Sequence, residues 1–277
     1  MPTVTVGNVS ITPIQDTSIL MDPRQFMPQY GEQFATEYRH LADERGLMAM
    51  SITTYLLRSA GKTILVDTGL GPRRRPGFPR GNLDVNLEEA GVAPGDVDLI
   101  LTTHLHIDHV GWNTVDDENG KTRVFFPKAR FIVQQREYDF WMQPQFTSEA
   151  SNAHLVECVA PLAEQGRIDL VSGEQPVDEH ITFIATPGHT PGHVAIGIAS
   201  AGERAVIVGD ASHHPAQLDH PDWSPAFDTD PVQSAKTRDR LFDDAAGDGR
   251  TWIAGHWQYP GMGRIVRLDG KRTFRAL

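Results

Sequence analysis

The amino-acid sequence predicts a single α/β domain over residues 1–277. Short apolar segments rich in Val, Ile and Leu alternate with helical patterns, and no linker, low-complexity tract or internal repeat separates them. Several of the apolar segments end abruptly in a turn that is followed by aspartate or histidine. Because strand ends at one edge of a sheet bring distant side chains into a shared cleft, this pattern predicts a functional site at a sheet edge.

The elements follow from periodicity and from turn residues. Alternating apolar and polar residues over 3–14, around Gly7 and Asn8, predict a hairpin. Further strands are predicted at residues 50–57, 62–66, 97–101, 130–134, 167–171, 180–186, 193–199, 204–209 and 251–254. Helices are predicted at residues 83–91, 135–142, 152–165 and 231–246.

Residues 20–50 show no sustained period and are interpreted as an irregular N-terminal arm with a short helix near 32–44. Methionines and aromatic residues lie there among prolines and charges. Two roles stay open for the arm. It covers an edge of the core, or it forms a wall of a substrate pocket or a contact between two subunits of a homodimer.

Composition excludes several classes of protein. The chain has a formal net charge of −11, whereas nucleic acid and anionic membranes require clustered Lys and Arg, so neither is expected as a partner. No segment approaches the roughly 18 apolar residues of a membrane-spanning helix. The single cysteine, Cys158, excludes an internal disulfide. With no secretory signal visible at the N-terminus, a cytoplasmic protein is expected.

The segment after the strand at 97–101 has the composition of a metal site. It contains His104, His106, Asp108 and His109, three imidazoles and a carboxylate within six residues. Neutral imidazole and carboxylate are ligands for Zn, Fe, Mn and Co, and no cysteine lies nearby to build a closed structural zinc site. The same strand–turn–ligand pattern occurs, with some variation in the turn, at Asp67, His189, Asp210 and His256.

Residues 104–109 follow the pattern His-x-His-x-Asp-His and resemble the signature of the metallo-β-lactamase superfamily. The other ligand-type positions match that family in order and character, from about Ile52 to Ile265. The resemblance implies a four-layer αβ/βα sandwich with a dinuclear metal centre at one edge. It assigns His104, His106 and His189 to the first ion, Asp108, His109 and His256 to the second, and Asp210 to a bridge between them.

Two further positions are assigned by the same resemblance. Asp67 matches a carboxylate that orients the ligand loop from behind, and His193 is the structural member of a turn in which His189 is the ligand. The chemistry implied is hydrolysis by a metal-bridging hydroxide, with Asp108 carrying the proton. Zinc is the expected metal, with manganese, cobalt and iron as alternatives, because His and Asp bind all of them.

The branch of the superfamily is suggested by residues 209–217, 227–230 and 255–263, which resemble methyl parathion hydrolase and related lactonases and arylesterases. A small-molecule lactone or carboxylic ester is therefore the expected substrate, with possible side activity on phosphotriesters. His213 occupies the position at which acyl-homoserine lactonases carry a tyrosine. It either donates a hydrogen bond to a developing oxyanion or fixes the loop near Gln217 or Asp230. Among the tryptophans, Trp257 is the candidate for an aromatic pocket because it follows His256.

Other activities of the same fold are alternatives. A mononuclear iron oxidoreductase resembling sulfur dioxygenases, or a β-lactam hydrolase, would use a similar ligand set. A nuclease is disfavoured by the acidic charge and by the absence of a long insertion. A binding module without catalysis would be expected to have lost ligands, and none is missing from the pattern.

Overall fold

A computed structural model describes all residues from Met1 to Leu277. The strands are β1 (Val4–Val6), β2 (Val9–Met21), β3 (Met48–Ser59), β4 (Lys62–Val66), β5 (Leu99–Leu101), β6 (Thr114–Asp116), β7 (Thr122–Val124), β8 (Arg130–Gln134), β9 (Ile168–Val171), β10 (Ile181–Ala185), β11 (Val194–Ser200), β12 (Glu203–Ile207), β13 (Thr251–Ile253), β14 (Met262–Leu268) and β15 (Lys271–Ala276). The α-helices are α1 (Pro23–Phe26), α2 (Gly31–Glu37), α3 (Leu83–Glu89), α4 (Ile107–Val110), α5 (Gln135–Trp141), α6 (Pro144–Thr147), α7 (Ala160–Glu164) and α8 (Pro231–Asp248). No helix is long and apolar enough to cross a membrane.

Two mixed sheets face each other across a common core. The first has the strand order β1-β2-β3-β4-β5-β8-β9 and the second the order β10-β11-β12-β13-β14-β15, while β6 and β7 form a separate hairpin. Residues from both sheets share one buried cluster, which includes Ile11, Leu57, Ile64, Phe183, Ile196 and Ile207. Alternating apolar side chains on each strand produce these two inner faces.

Helices cover the outer face of each sheet. On the first sheet, Leu83 and Leu87 of α3 pack against Leu65 and Ile100. On the second sheet, Leu241 and Phe242 of α8 pack with Val206 and Trp252. The resulting order of helices, sheet, sheet and helix confirms the predicted four-layer αβ/βα sandwich.

Parallel pairing places the candidate ligands at one edge. Strands β4 and β5 are parallel, with Val66 opposite Leu101, so the residues that follow both strands emerge at the same edge. In the second sheet, β12 and β13 are parallel, with Ile207 opposite Ile253. The turns that follow these four strands carry Asp67, the 104–109 segment, Asp210 and His256.

Most predicted elements are present, with differences that have local causes. The helix predicted over 152–165 is divided into a π-helix, Leu155–Val159, and α7. Pro161 has no N–H to donate to the carbonyl of Glu157, and that carbonyl instead accepts a hydrogen bond from Thr114 Oγ1 at 2.7 Å. The C-terminal hairpin of β14 and β15 was not recognised from the sequence as a pair. Its turn residues Asp269 and Gly270 both have positive φ, the conformation that an Asp-Gly hairpin turn favours.

The N-terminal arm is more regular than its sequence predicts. Strand β2 extends to Met21 and β3 begins at Met48, so both ends of the 20–50 segment belong to the first sheet. Between them, Phe26 and Phe34 of the two short helices are fully buried and pack in one cluster with Trp223. The arm therefore covers an edge of the core, as one of its two predicted roles requires.

Asp16 is a buried carboxylate that ties this sheet to the loops near the site. It lies at a register shift between Gln15 and Thr17 in β2 and is 1% exposed. Its oxygens accept hydrogen bonds from Leu70 N at 2.8 Å, Leu83 N at 2.9 Å and Trp112 Nε1 at 2.8 Å. All three partners are donors, so the ionised carboxylate matches this environment.

We expect Asp16→Asn to lower the free energy of unfolding by about 1–3 kcal/mol, because an amide NH₂ would face N–H donors and leave buried groups unpaired. Urea unfolding followed by circular dichroism measures this change. The half-exposed Asp244, whose side chain is 42% exposed, supplies the control Asp244→Asn. Equal stability of the two variants would contradict the role of Asp16.

Candidate metal centre

Four turns at the sheet edge deliver the predicted ligands. The turn after β5 carries His104 and His106, and α4 begins immediately afterwards with Ile107 and presents Asp108 and His109. The other three turns follow β10, β12 and β13 and carry His189, Asp210 and His256. The structure brings all seven predicted ligand side chains into one cluster, in which five are buried and two, His106 and Asp108, are partly exposed.

Asp210 lies at the centre of this cluster. One of its carboxylate oxygens lies near His189 and His104, the first set of imidazoles, and the other lies near His109 and His256, the second set. Asp210 Oδ2 lies 3.3 Å from His189 Nε2 and 3.7 Å from His104 Nε2. Its Oδ1 lies 3.1 Å from both His109 Nε2 and His256 Nε2, and His256 Nε2 also lies 3.2 Å from Oδ2. A carboxylate in this position can be shared by two adjacent cation sites.

Each set is completed by a further predicted ligand. On the Oδ2 side, His106 Nδ1 lies 2.9 Å from His189 Nε2. On the Oδ1 side, Asp108 Oδ1 lies 3.7 Å from His109 Nε2, and Asp108 Oδ2 lies 3.5 Å from His256 Nε2. In each group, His104–His106–His189–Asp210 and Asp108–His109–His256, the ligand atoms all lie within 4.8 Å of one another.

Buried polar atoms without a hydrogen-bond partner indicate whether cations fit this cluster. His104 Nε2, His109 Nε2 and Asp210 Oδ1 are buried and have no hydrogen-bond partner, although the last two lie 3.1 Å apart without hydrogen-bond alignment. Unpaired buried polar atoms cost about 1–3 kcal/mol each, and the large majority of such atoms are paired in folded proteins. Imidazole nitrogens and a carboxylate oxygen left free around one point are the donor set that divalent transition metals prefer.

The electrostatics of the cluster favour neutral imidazole at His104 and His106, whereas the carboxylates of Asp210 and Asp228 raise the pKa of His189 to about 9 against its burial. Burial, together with the neighbouring imidazoles, holds the pKa of His104 and His106 well below the usual value. Burial also opposes the charging of His109, but the carboxylates of Asp210, Asp108 and Asp67 outweigh it and raise the pKa of His109. A metal ion would take the place of the proton that these carboxylates attract.

Asp67 contacts the ligand loop from behind. Its Oδ1 accepts a hydrogen bond from Thr103 N at 2.8 Å, and its Oδ2 accepts one from Thr103 Oγ1 at 2.7 Å and lies 2.8 Å from His109 Nδ1. The φ of Asp67 is +61°, a left-handed conformation that Asp tolerates better than most residues. These contacts orient the His109 ring so that Nε2 faces Asp210.

Two other buried carboxylates support the ligands and were missed in the sequence. Glu137 accepts hydrogen bonds from Leu105 N, Thr190 Oγ1 and Gly192 N, at 3.0, 2.7 and 2.9 Å, and so joins the two loops that carry His104, His106 and His189. Asp228 Oδ1 lies 2.7 Å from His189 Nδ1. The only sequence signal for the second of these is its place in residues 227–230, three positions before α8 begins at Pro231.

His193 makes hydrogen bonds to two of the ligand-bearing turns. Its Nε2 accepts a hydrogen bond from Asp210 N at 3.0 Å, which requires the proton to reside on Nδ1. Nδ1 in turn lies 3.1 Å from the carbonyl oxygen of Thr186. His193 thereby links the turn of His189 to the turn of Asp210 without facing the ligand cluster.

His213 makes contacts that fit each of its two predicted roles. Its backbone N–H donates to Gln217 Oε1 at 2.7 Å, which fixes the loop. Its ring is fully buried, lies 3.1 Å from Asp210 Oδ2 through Nε2, and leaves Nδ1 without a partner. Burial lowers the pKa of His213 to about 4, although Asp210 opposes this shift, so the ring is neutral at pH 7.

A cavity of about 230 Å³ opens beside the cluster. Asp108, His213 and His256 are among the polar residues that line it. The apolar part of its wall comprises Ile19, Met21, Met50, Phe78, Ile107 and Phe227. The aromatic lining is therefore phenylalanine, and Trp257 is buried behind the site, where its Nε1 donates to Ser212 Oγ at 3.1 Å. The N-terminal arm contributes Met21 and Met50, so it also forms a wall of the cavity.

Comparison with known proteins decides the family. The model of the Metallo-beta-lactamase superfamily matches residues 48–256, which include every candidate ligand. The chain belongs to the metallo-beta-lactamase superfamily. The resemblance predicted from the sequence is thereby confirmed.

Among relatives, an N-acyl homoserine lactonase of Bacillus sp. is 28% identical over 185 residues, covering 60% of this chain and 66% of the relative. The aligned region thus spans slightly less than two thirds of that relative's length. The N-acyl homoserine lactonase AiiB of Agrobacterium fabrum is 24% identical over 259 residues, covering 86% of this chain and 90% of the relative.

Solved structures extend the likeness to nearly the whole chain. A structure described as hydrolase AbOPH in beta lactamase superfamily has a TM-score of 0.85 and 28% identity, covering 99% of this chain and 96% of that chain. AidC, described as a dizinc quorum-quenching lactonase in complex with the product N-hexnoyl-L-homoserine, has a TM-score of 0.83 and 25% identity, with coverage of 100% and 97%. These proteins share the fold around the candidate centre.

Proposed function

We propose that this protein is a metal-dependent hydrolase that opens lactones, with N-acyl homoserine lactones as the first class to test. The observation that carries the proposal is the carboxylate of Asp210, which lies between two sets of ligand-type side chains at the end of a half-apolar cavity. The lactonases among its relatives and a dizinc lactonase among similar structures support it.

Two divalent ions, with zinc as the first choice, would be held by the side chains already described. His104, His106 and His189 would bind one ion, Asp108, His109 and His256 the other, and Asp210 would bind both. When bound, such ions supply a nucleophile from water at neutral pH and polarise the oxygen of a carbonyl group. The separate acceptor set on each side of Asp210 supports this division.

The residues of this chain position the substrate and move the proton. Asp108 lines the cavity with a side chain that is 18% exposed, so it can accept a proton from attacking water and pass it to the leaving oxygen. His213 lies at the same wall as a neutral ring. In the tautomer that carries the proton on Nε2, this N–H lies 3.1 Å from Asp210 Oδ2, and with that oxygen bound to a metal ion it would be free to donate to the carbonyl oxygen as negative charge develops there.

The apolar lining of the cavity receives the apolar part of the substrate. Met21, Met50, Phe78 and Phe227 present thioether and aromatic surface without a hydrogen-bonding group. An acyl chain against this surface excludes water from the cleft. Side activity on phosphotriesters is an extension of the proposal, because the same ions and the same cavity suit attack at phosphorus.

The proposal is tested by metal analysis together with a substrate panel. Purified protein is analysed by plasma mass spectrometry and assayed on N-acyl homoserine lactones, simple lactones, aryl esters, a β-lactam and a phosphotriester. Two ions per chain and chelator-sensitive lactone opening are expected. One iron per chain without hydrolysis would replace the proposal by the iron oxidoreductase alternative. The predicted homodimer and cytoplasmic location are separate proposals, and light scattering measures the first of them.

We expect His213→Ala to lower kcat about 10²–10³-fold with both ions retained, because removal of one oxyanion donor has an effect of this size. Lactone kinetics and metal content of the same preparation are the measurements. His214→Ala is the matched control, since His214 is buried in the same loop and packs on Phe34, and it does not line the cavity. If the two variants have the same kcat, His213 serves only to fix the loop.

A further inference from the structure

We propose that Arg238 is a positioning residue for the candidate metal centre. It acts through Asp228, which holds the imidazole of His189, and its contact with the carbonyl oxygen of Ala211 keeps the guanidinium in place. The inference rests on the metal assignments of the proposed function and is independent of which substrate is hydrolysed.

Arg238 is a fully buried cation on the inner face of α8. Its relative exposure is 0%, in a helix whose neighbouring Arg240 side chain is 49% exposed. Arginine is almost never fully buried unless its charge is paired, because removing a guanidinium from water is costly. A cation kept at this position therefore requires a specific set of partners.

The partners of Arg238 lie next to two of the candidate ligands. Ala211 follows Asp210 in the chain, and Asp228 contacts the ring of His189. Arg238 Nε donates to the carbonyl oxygen of Ala211 at 2.7 Å, directly after Asp210. Its Nη2 lies 3.4 Å from Asp228 Oδ2 and donates to Ser234 Oγ at 3.0 Å. The planar guanidinium fixes these acceptors relative to one another, which the flexible ammonium of a lysine cannot do.

Asp228 passes this constraint to the ligand. Its side chain is fully buried, and its Oδ1 lies 2.7 Å from His189 Nδ1. A proton on Nδ1 of His189 leaves Nε2 free, and Nε2 is the atom that faces Asp210 and His106. A carboxylate behind an imidazole in this way fixes the orientation of the ring toward a metal. Without Arg238, the charge of Asp228 would lack its cationic partner.

The second set of ligands is held by other groups. His109 is oriented by Asp67, and His256 Nδ1 lies 2.8 Å from the carbonyl oxygen of Ser51. Neither of these contacts involves Arg238. A positioning role therefore predicts a selective effect on the ion at His104, His106 and His189, while a purely structural role predicts an equal effect on both ions.

A structural role has its own support and must be separated from positioning. Arg238 Nη1 donates to the carbonyl oxygen of Pro221 at 2.5 Å and lies 3.5 Å from that of Trp223, so it also anchors residues 221–223. Loss of this anchor would lower the free energy of unfolding without distinguishing the two ions. Metal affinity resolved by site therefore decides between the roles, and activity alone does not.

The experiment compares Arg238→Met, Asp228→Asn and the double variant with wild type. Metal-free protein is titrated with cobalt(II) against a chelator, and the visible absorption and the shifted imidazole N–H resonances assign each ion to its histidines. Arg240→Met is the matched control on the same helix. Circular dichroism and thermal unfolding establish that each variant is folded, and Asp228→Asn carries the same selective prediction if Arg238→Met does not fold.

We expect each single variant to raise the dissociation constant of the His189 ion about 10–100-fold, the effect typical of groups that orient ligands. The constant of the other ion should change about twofold or less, and Arg238→Met should add little in the Asp228→Asn background. Equal weakening of both ions, or full additivity of the two changes, would overturn the inference. Wild-type protein that binds two ions and opens no lactone removes the proposed substrate and leaves this inference in place. Wild-type protein that binds fewer than two ions overturns both.

Discussion

Asp210→Asn is expected to abolish most of the hydrolysis and to remove at least one ion per chain. The carboxylate is the only group that faces both sets of ligands, and its pKa is held well below the usual range because the surrounding imidazoles outweigh its burial. An amide keeps one acceptor oxygen and loses the negative charge that two cations require. Since groups that merely orient ligands change activity by about 10–100-fold, the loss at a shared ligand should be at least about 10²-fold in kcat/KM.

Plasma mass spectrometry and lactone kinetics on the same sample measure the two effects of Asp210→Asn. Asp239→Asn is a suitable control, because Asp239 is a half-exposed carboxylate on α8 that pairs with Arg272 at 2.6 Å, away from the cluster. A variant of Asp210 with two ions and the wild-type rate would refute the shared-ligand assignment.

Asp108→Asn is expected to lower kcat about 10²–10⁴-fold, the range for loss of a group that transfers a proton in the transition state. The first ion should be retained, since His104, His106 and His189 are unchanged, and the second ion should bind more weakly. Asp108 lies 3.5 Å from His256 Nε2 and lines the cavity, so it can act both as ligand and as proton acceptor.

The two roles of Asp108 separate when kcat is measured at saturating metal. If excess zinc restores the wild-type kcat of Asp108→Asn, the residue is a ligand only and the proton-transfer role is wrong. Ile107→Val serves as the control, because Ile107 lines the same cavity from the adjacent position and carries no proton.

Much of the fold follows from local sequence patterns. The alternation in β1 and β2, the apolar runs of β4 and β8, and the strand–turn–ligand repeats are short-range signals that survive in the tertiary structure. Elements without a sustained period were less well predicted. The arm over 20–50 becomes two strand ends and two short helices because Phe26 and Phe34 have a partner in Trp223, nearly two hundred residues away.

The candidate ligands were predictable because metal chemistry restricts their residue types and because five of them share a strand-end context. The groups behind them were not predictable in this way. Glu137, Asp228 and Arg238 occur in helical or loop contexts where charged residues are ordinarily solvated. Only the packing of α5 and α8 against the ligand turns buries these charges and gives them partners.

For His213, the sequence predicts the position and the structure supplies the contacts. Its place three residues after Asp210 is visible in the sequence, and both of its candidate roles follow from that place. The structure adds that its backbone fixes the loop while its ring faces the cavity and Asp210. One residue thus combines the two contacts that the sequence presents as alternatives.

The sequence by itself determined the layered α/β class, the family and the seven ligand-type side chains, because each depends on residue type and short spacing. The tertiary structure alone decided which oxygen of Asp210 faces which imidazoles, which side chains line the cavity and how Arg238 and Asp228 reach His189. These features depend on contacts between elements far apart in the chain, such as Arg238 with Ala211 and His256 with Ser51. Distances of this kind are set by the packing of two sheets and their helices, which no local pattern encodes.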